Sequence, residues 1–235
     1  MTNRREFIQQ SAIGATALTI GGMGLTAKSY GRIIGANDRL NVALMGCGRR
    51  VGAYYNALKD TNNNVDLAYI CDVMKKQRER VAGHLNGKVS GKAIIENDIR
   101  KVFEDKEVDV IFNATPDHWH APGTWMAMAA GKHVYIEKPC SHNPREGELL
   151  VAFRQKYNKV VQMGNQQRSA PETIEVIEAI HKGAIGQVYK ALAFYINSRG
   201  EVPVPQKAPV PEGLDWDLFQ GPAPRVEYQH NTWDY

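Results

Sequence analysis

The sequence predicts an α/β chain, a doubly wound parallel sheet followed by the start of an α+β C-terminal domain. Three observations predict it. Short apolar runs alternate with helix-compatible segments over residues 40–136. A glycine-rich turn separates the first run from the first helix, and an acidic residue, Asp72, follows the second run. At 235 residues the chain can bury a true core, and 43% hydrophobic with 23% charged residues is the composition of an ordinary globular protein. A net charge of +4 without a basic stripe interleaved with aromatics argues against a nucleic-acid partner.

Residues 40–45 read as a short buried strand, and residues 51–59 as a helix behind the glycine turn. A second strand covers 65–71 and a helix 74–85. The alternation continues with a strand at 92–95, a helix at 97–104, a strand at 108–113, a helix at 121–130 closed by Gly131, and a strand at 133–136. Parallel strands joined by helical crossovers gather ligand-binding loops at the C-terminal strand ends. Beyond them, 160–163 is strand-like, 171–182 is a helix opened by Pro171, and 187–197 reads as a long strand. Residues 201–224 are proline-rich and lack an apolar period, so an irregular excursion containing Trp216 and Phe219 is expected there.

The first turn reads Gly46-Cys47-Gly48-Arg49-Arg50-Val51-Gly52. Gly46 permits the tight bend, Gly48 lets backbone approach a pyrophosphate, and the following helix N-terminus attracts an anion. The pattern departs from G-x-G-x-x-G, because Val51 holds the third position and the glycine follows at Gly52, which puts close helix–strand packing in question. Asp72, 20 residues beyond Gly52, can accept from adenosine ribose hydroxyls, and its charge disfavours a 2′-phosphate. This points to a Rossmann-type fold binding NAD. NADP stays an alternative, since Lys75, Lys76 and Arg78 stand close by; the same three fit the solvated face of their helix.

Two further clusters end strands. Ala114-Thr115-Pro116-Asp117-His118-Trp119-His120 follows one, and Glu137-Lys138-Pro139 follows the next, 24 residues past Asn113. His118 and His120 with Asp117 lack a suitably spaced third ligand, so no metal is expected. Pro139, in a turn at a strand end, suits a cis bond. The odd set Cys47, Cys71 and Cys140 reads as free thiols, with a regulatory bridge between Cys47 and Cys71 as the alternative.

Together the glycine turn, the Ala-Thr-Pro-Asp-His-Trp-His run and Glu-Lys-Pro resemble the Gfo/Idh/MocA family of oxidoreductases. The similarity extends through Gly183-Ala184-Ile185-Gly186 and Asp215-Trp216 to Gly221-Pro222-Ala223-Pro224. The resemblance implies that Lys138 is catalytic and also contacts the nicotinamide ribose. It implies a cofactor site of Gly46, Gly48, Arg49, Arg50, Asp72, Thr115, Pro116, His118, Trp119, His120, Glu137, Asn165 and Gln166. It further implies homo-oligomers, a carbohydrate substrate, and a chain truncated at its C-terminus, since family members continue well past the equivalent of Tyr235 and draw an Asp and a His from that later segment. Such a chain is expected to bind dinucleotide poorly or to be unstable alone.

At the other end, Arg4 and Arg5 precede Phe7 and Ile8, and residues 11–27 are weakly hydrophobic and broken by glycines and threonines. That layout is a twin-arginine signal rather than a membrane span. It predicts passage through the twin-arginine translocation machinery to the periplasm, a route for folded proteins that suits an enzyme loaded with a dinucleotide beforehand. The expected division is therefore 1–36 signal peptide and linker, 37–160 dinucleotide-binding domain, and 161–235 the beginning of a substrate and oligomerisation domain. The leading function is an NAD(P)-dependent oxidoreductase acting on a sugar or polyol. The alternatives are an NAD-dependent glycoside hydrolase using transient oxidation, and a non-catalytic dinucleotide-binding fragment.

Overall fold

A computed structural model describes residues 39–196 and 204–230. The expected signal peptide lies outside the described residues, as does Asn197, the last residue of the expected long strand.

Six parallel strands form the sheet: β1 (Leu40–Met45), β2 (Val65–Cys71), β3 (Ile94–Glu96), β4 (Val110–Asn113), β5 (His133–Glu137) and β6 (Val161–Gly164). Their order is β3-β2-β1-β4-β5-β6, so the winding reverses between β1 and β4 and opens a crevice at their C-terminal ends. The crossovers are α1 (Tyr55–Lys59), α2 (Lys75–Leu85), α3 (Ile99–Glu104), α4 (Asp117–Ala129) and α5 (Pro144–Tyr157).

β1 is apolar without alternation because both its faces are covered. Val42 and Leu44 pack with Val51, Leu58, Leu67, Val81 and Leu85 on one face. Ala43 and Met45 pack with Ile111, Met128, Val134 and Ile136 on the other. Side chains accept backbone N–H groups at several helix starts: Asp98 from Arg100 at α3, and Asn143 from Glu146 at α5.

Four expectations change. The helix expected over 51–59 is a 3-10 turn, Arg50–Tyr54, running into the five-residue α1. α4 starts at Asp117 rather than 121: Pro116 takes the extended N-cap conformation and Asp117 supplies an acid to the first turn, while Pro122 inside the helix masked this start. β6 hydrogen-bonds to β5, so the sheet extends past residue 160 to Gly164, and the expected boundary falls one residue before its last strand. Residues 187–196 carry no strand; no described strand lies beside them to complete a ladder.

The remaining described elements are α6 (Pro171–His181), the short α7 (Trp216–Gln220), and a small antiparallel pair, β7 (Gln206–Lys207) with β8 (Gln229–His230). Within the described residues 204–224 the expected excursion is irregular apart from β7 and α7. Asp215 caps α7, and Met74, Leu214 and Tyr228 form a small apolar cluster beside the end of β2.

Candidate functional site

Gly46 leaves β1 at φ +90, and a Cβ there would lie 2.7 Å from the backbone of Ala114 and Thr115. The turn therefore needs glycine for conformation and for contact with the loop after β4. Gly48 is different: a Cβ would meet nothing within 4 Å, leaving open space beside the backbone where a phosphate could approach. Val51 is fully buried among Leu58 and Leu67, so the missing third glycine costs no packing. Arg49 is exposed at the start of the 3-10 turn.

Asp72 reaches back to this turn. Its Oδ2 accepts from the Cys47 N–H at 2.5 Å and its Oδ1 from the Met74 N–H at 2.7 Å. Burial pushes its carboxyl pKa up, against the lowering effect of those two N–H groups, Arg78 and Arg80. Arg78 donates to the Asp72 carbonyl, and Arg80 to the carbonyls of Cys47 at 2.5 Å and Gly48 at 3.1 Å. Two guanidinium groups thus flank the turn. Lys75 pairs instead with Glu79 at 3.8 Å. Arg80 escaped the sequence reading; its spacing, two residues past Arg78 on the same helix, was the available signal.

Asn113, fully buried at the end of β4, fixes the next loop. Its Oδ1 accepts from Thr115 Oγ1 at 2.6 Å and its Nδ2 donates to the His120 carbonyl at 3.0 Å. Pro116 is exposed at the N-cap of α4. The three aromatic side chains that follow reach main-chain carbonyls, although His120 Nε2 is buried without a hydrogen-bond partner. His118 Nε2 donates to the Phe219 carbonyl at 2.7 Å, and Trp119 Nε1 to the carbonyls of Leu218 and Phe219 at 3.0 and 2.9 Å. His120 is buried, with Nδ1 donating to the Pro139 carbonyl at 2.5 Å. These three, expected as cofactor contacts, tie the first turn of α4 to α7 and to the β5 loop. The sequence could not show this because the partners of His118 and Trp119 are about a hundred residues away.

Glu137 ends β5 almost completely buried, 3% exposed, with donors from three directions. Arg50 Nε approaches Oε1 at 2.8 Å as an ion pair, the Tyr54 hydroxyl donates to the same oxygen at 3.0 Å, and Gln166 Nε2 donates to Oε2 at 3.1 Å. Expected residues from the glycine turn, from β5 and from the segment after β6 therefore meet at one carboxylate. Lys138, next along, is exposed and joined to Pro139 by the cis peptide anticipated for it. Asn165 is exposed at the head of a 3-10 turn, Gln166–Ser169. The three cysteines are free thiols, and burial raises the pKa of Cys47 and Cys71, which keeps both protonated.

Open space at Gly48, an acceptor at Asp72 and cations at Arg49 and Arg50 form a donor and acceptor set that suits a dinucleotide. Comparison with known proteins agrees. The chain is 27% identical over 154 residues to D-glucoside 3-dehydrogenase of Escherichia coli (strain K12), covering 66% of this chain and 42% of that one. It is 23% identical over 212 residues to a glycosyl hydrolase family 109 protein of Shewanella baltica (strain OS185), covering 83% and 46%. Among solved structures, an NAD binding oxidoreductase from Klebsiella pneumoniae superposes with TM-score 0.54 at 26% identity, over 63% of this chain and 40% of that one. The chain thus spans less than half the length of these relatives. Residues 40–165, more than half of the chain, match the family described as "Oxidoreductase family, NAD-binding Rossmann fold", and the protein belongs to that Gfo/Idh/MocA family.

Proposed function

We propose that the chain carries the dinucleotide-binding part of an NAD-dependent oxidoreductase that moves a hydride between a nicotinamide and a sugar or polyol. The observation that carries this reading is Lys138, exposed directly beyond the buried Glu137 that pairs with Arg50 of the glycine turn. When bound, the nicotinamide supplies the hydride acceptor or donor. Gly48 and the arginines at 49 and 50 would hold its pyrophosphate, and Asp72 the adenosine ribose. Lys138 Nζ would hold or remove the proton of the reacting hydroxyl and steady the charge that develops on its oxygen. The Asp72 carboxylate favours NAD over NADP.

The D-glucoside named for one relative makes a D-glucoside the first substrate to test. NADH formation with a panel of glucosides, free sugars and polyols supports the reading. NAD binding without turnover of any of them favours the non-catalytic alternative. The redox-neutral hydrolase remains the second reading because the glycosyl hydrolase relative aligns over more of this chain than the dehydrogenase does. Release of a chromogenic aglycone with no net NADH decides for it.

We further propose export through the twin-arginine translocation machinery to the periplasm, supported by Arg4, Arg5 and the apolar stretch at 11–27. A reporter fused to residues 1–36 should reach the periplasm only in cells with a working twin-arginine translocase. Light scattering tests the homo-oligomer that the family resemblance suggests.

A further inference from the structure

A carboxylate as buried as Glu137 survives only if its oxygens are matched, and here they are matched by neighbours fixed to different degrees. The Tyr54 ring is 6% exposed and set edge-on against Phe112 and Tyr135, with centroids at 5.0 and 5.8 Å. Its hydroxyl, 83 residues away in sequence from Glu137, is therefore held in place, and burial followed by the nearby carboxylate raises its pKa and keeps it a donor. Arg50 is looser: its buried Nε lies 2.8 Å from Oε1 as an ion pair without the alignment of a hydrogen bond, and its side chain keeps 39% exposure.

We propose that Tyr54 is a positioning residue of the dinucleotide site, setting through Glu137 how far Arg50 can reach toward the pyrophosphate. The inference rests on the dinucleotide reading given above. With the hydroxyl present, Oε1 has its hydrogen bond from Tyr54 and holds the guanidinium by charge alone. With the hydroxyl removed, a buried lone pair is left over, and Arg50 is the adjacent flexible cation able to fill it. The guanidinium then turns inward toward a two-bond pair with the carboxylate and gives up its reach to the phosphate.

The test is a double-mutant cycle on the full 235-residue chain, reading NAD+ affinity by calorimetry and folding by thermal melt. Tyr54→Phe keeps the ring contacts and should weaken NAD+ binding about three- to tenfold, the scale of one ordinary net hydrogen bond. Arg50→Ala should lose about tenfold, and adding Tyr54→Phe to it should cost nothing more. Glu137→Gln removes the charge that would draw Arg50 inward, so adding Tyr54→Phe to it should cost no further affinity. Tyr54→Phe with wild-type affinity, or with the same loss in both backgrounds, overturns the inference and leaves the dinucleotide reading standing. A wild-type chain that melts cooperatively but does not bind NAD+ overturns that reading, and the inference with it.

Discussion

Gly46 and Gly48 are two residues apart in one motif, yet the structure assigns them opposite sensitivities to a methyl group. In Gly46→Ala the new Cβ would be placed 2.7 Å from the carbonyl of Ala114 and the nitrogen of Thr115, in a backbone conformation at φ +90 that L residues avoid. The obstructing atoms are backbone in the loop after β4, so no rotamer change relieves them. The conformation alone costs about 1–3 kcal/mol, and displacing the loop adds to it. At about 3 kcal/mol in total, the melting temperature should fall by about 6–12 °C for a chain of this size. NAD+ affinity should fall too, because Thr115 moves with the loop. Gly48→Ala meets nothing within 4 Å and has no positive φ, so its melt should match wild type. Its methyl group would stand where backbone must approach the pyrophosphate, and affinity should fall by about tenfold or more. Paired melts and NAD+ titrations measure both. Gly48→Ala binding NAD+ as wild type does, or Gly46→Ala melting as wild type does, refutes the division between bend and cradle.

Three further outcomes follow from the same geometry. Lys138→Met should lower turnover of an accepted sugar by about a hundredfold or more while NADH binding, followed by fluorescence, changes little; equal losses in both would make the lysine a binding group only. Gly221→Ala should cost about 1–3 kcal/mol, because its Cβ would lie 2.2 Å from the Trp119 ring; a melt and the Trp119 environment read by fluorescence check it. Bonds from Arg100 hold the Asp98 carboxyl below its usual pKa. A carboxyl depressed in the folded state adds stability above its unfolded pKa and loses it as the pH falls through the folded one. The melting difference between wild type and Asp98→Asn should therefore be present at neutral pH and shrink as the pH falls below the ordinary aspartate range.

What the sequence made legible was whatever a residue type must do locally. β1 could be read because a strand covered on both faces is an unbroken apolar run, as it is from Val42 to Met45, and Gly46 because a tight bend at positive φ excludes other residues. Glu137 and Lys138 were recognisable by motif and position. The partners of these groups were not, because they arrive through the sheet. Nothing near Tyr54 in sequence announces a bond to Glu137, and nothing near His118 or Trp119 announces α7. Residues 187–196 failed for a related reason: their composition fits a strand, but a ladder requires a neighbour.

The irregular glycine motif and the buried carboxylate belong to one arrangement. A regular helix opening at this turn would bring about half a positive charge to the pyrophosphate. Here the chain opens as a five-residue 3-10 turn and continues for only five residues of α-helix, which shortens the row of aligned peptide dipoles. The tighter turn carries Val51 into the core beside Leu58 and Leu67, so a side chain sits where a third glycine would otherwise allow close packing. On the proposed reading, side-chain charge from Arg49 and Arg50 would make up for the shorter dipole, and two adjacent guanidinium groups repel. Glu137 offsets that repulsion by pairing with Arg50, while Arg49 remains exposed. On the proposed reading the acid of Glu-Lys-Pro would serve the phosphate end of the cofactor and the lysine its nicotinamide end, so that a single strand terminus would order both.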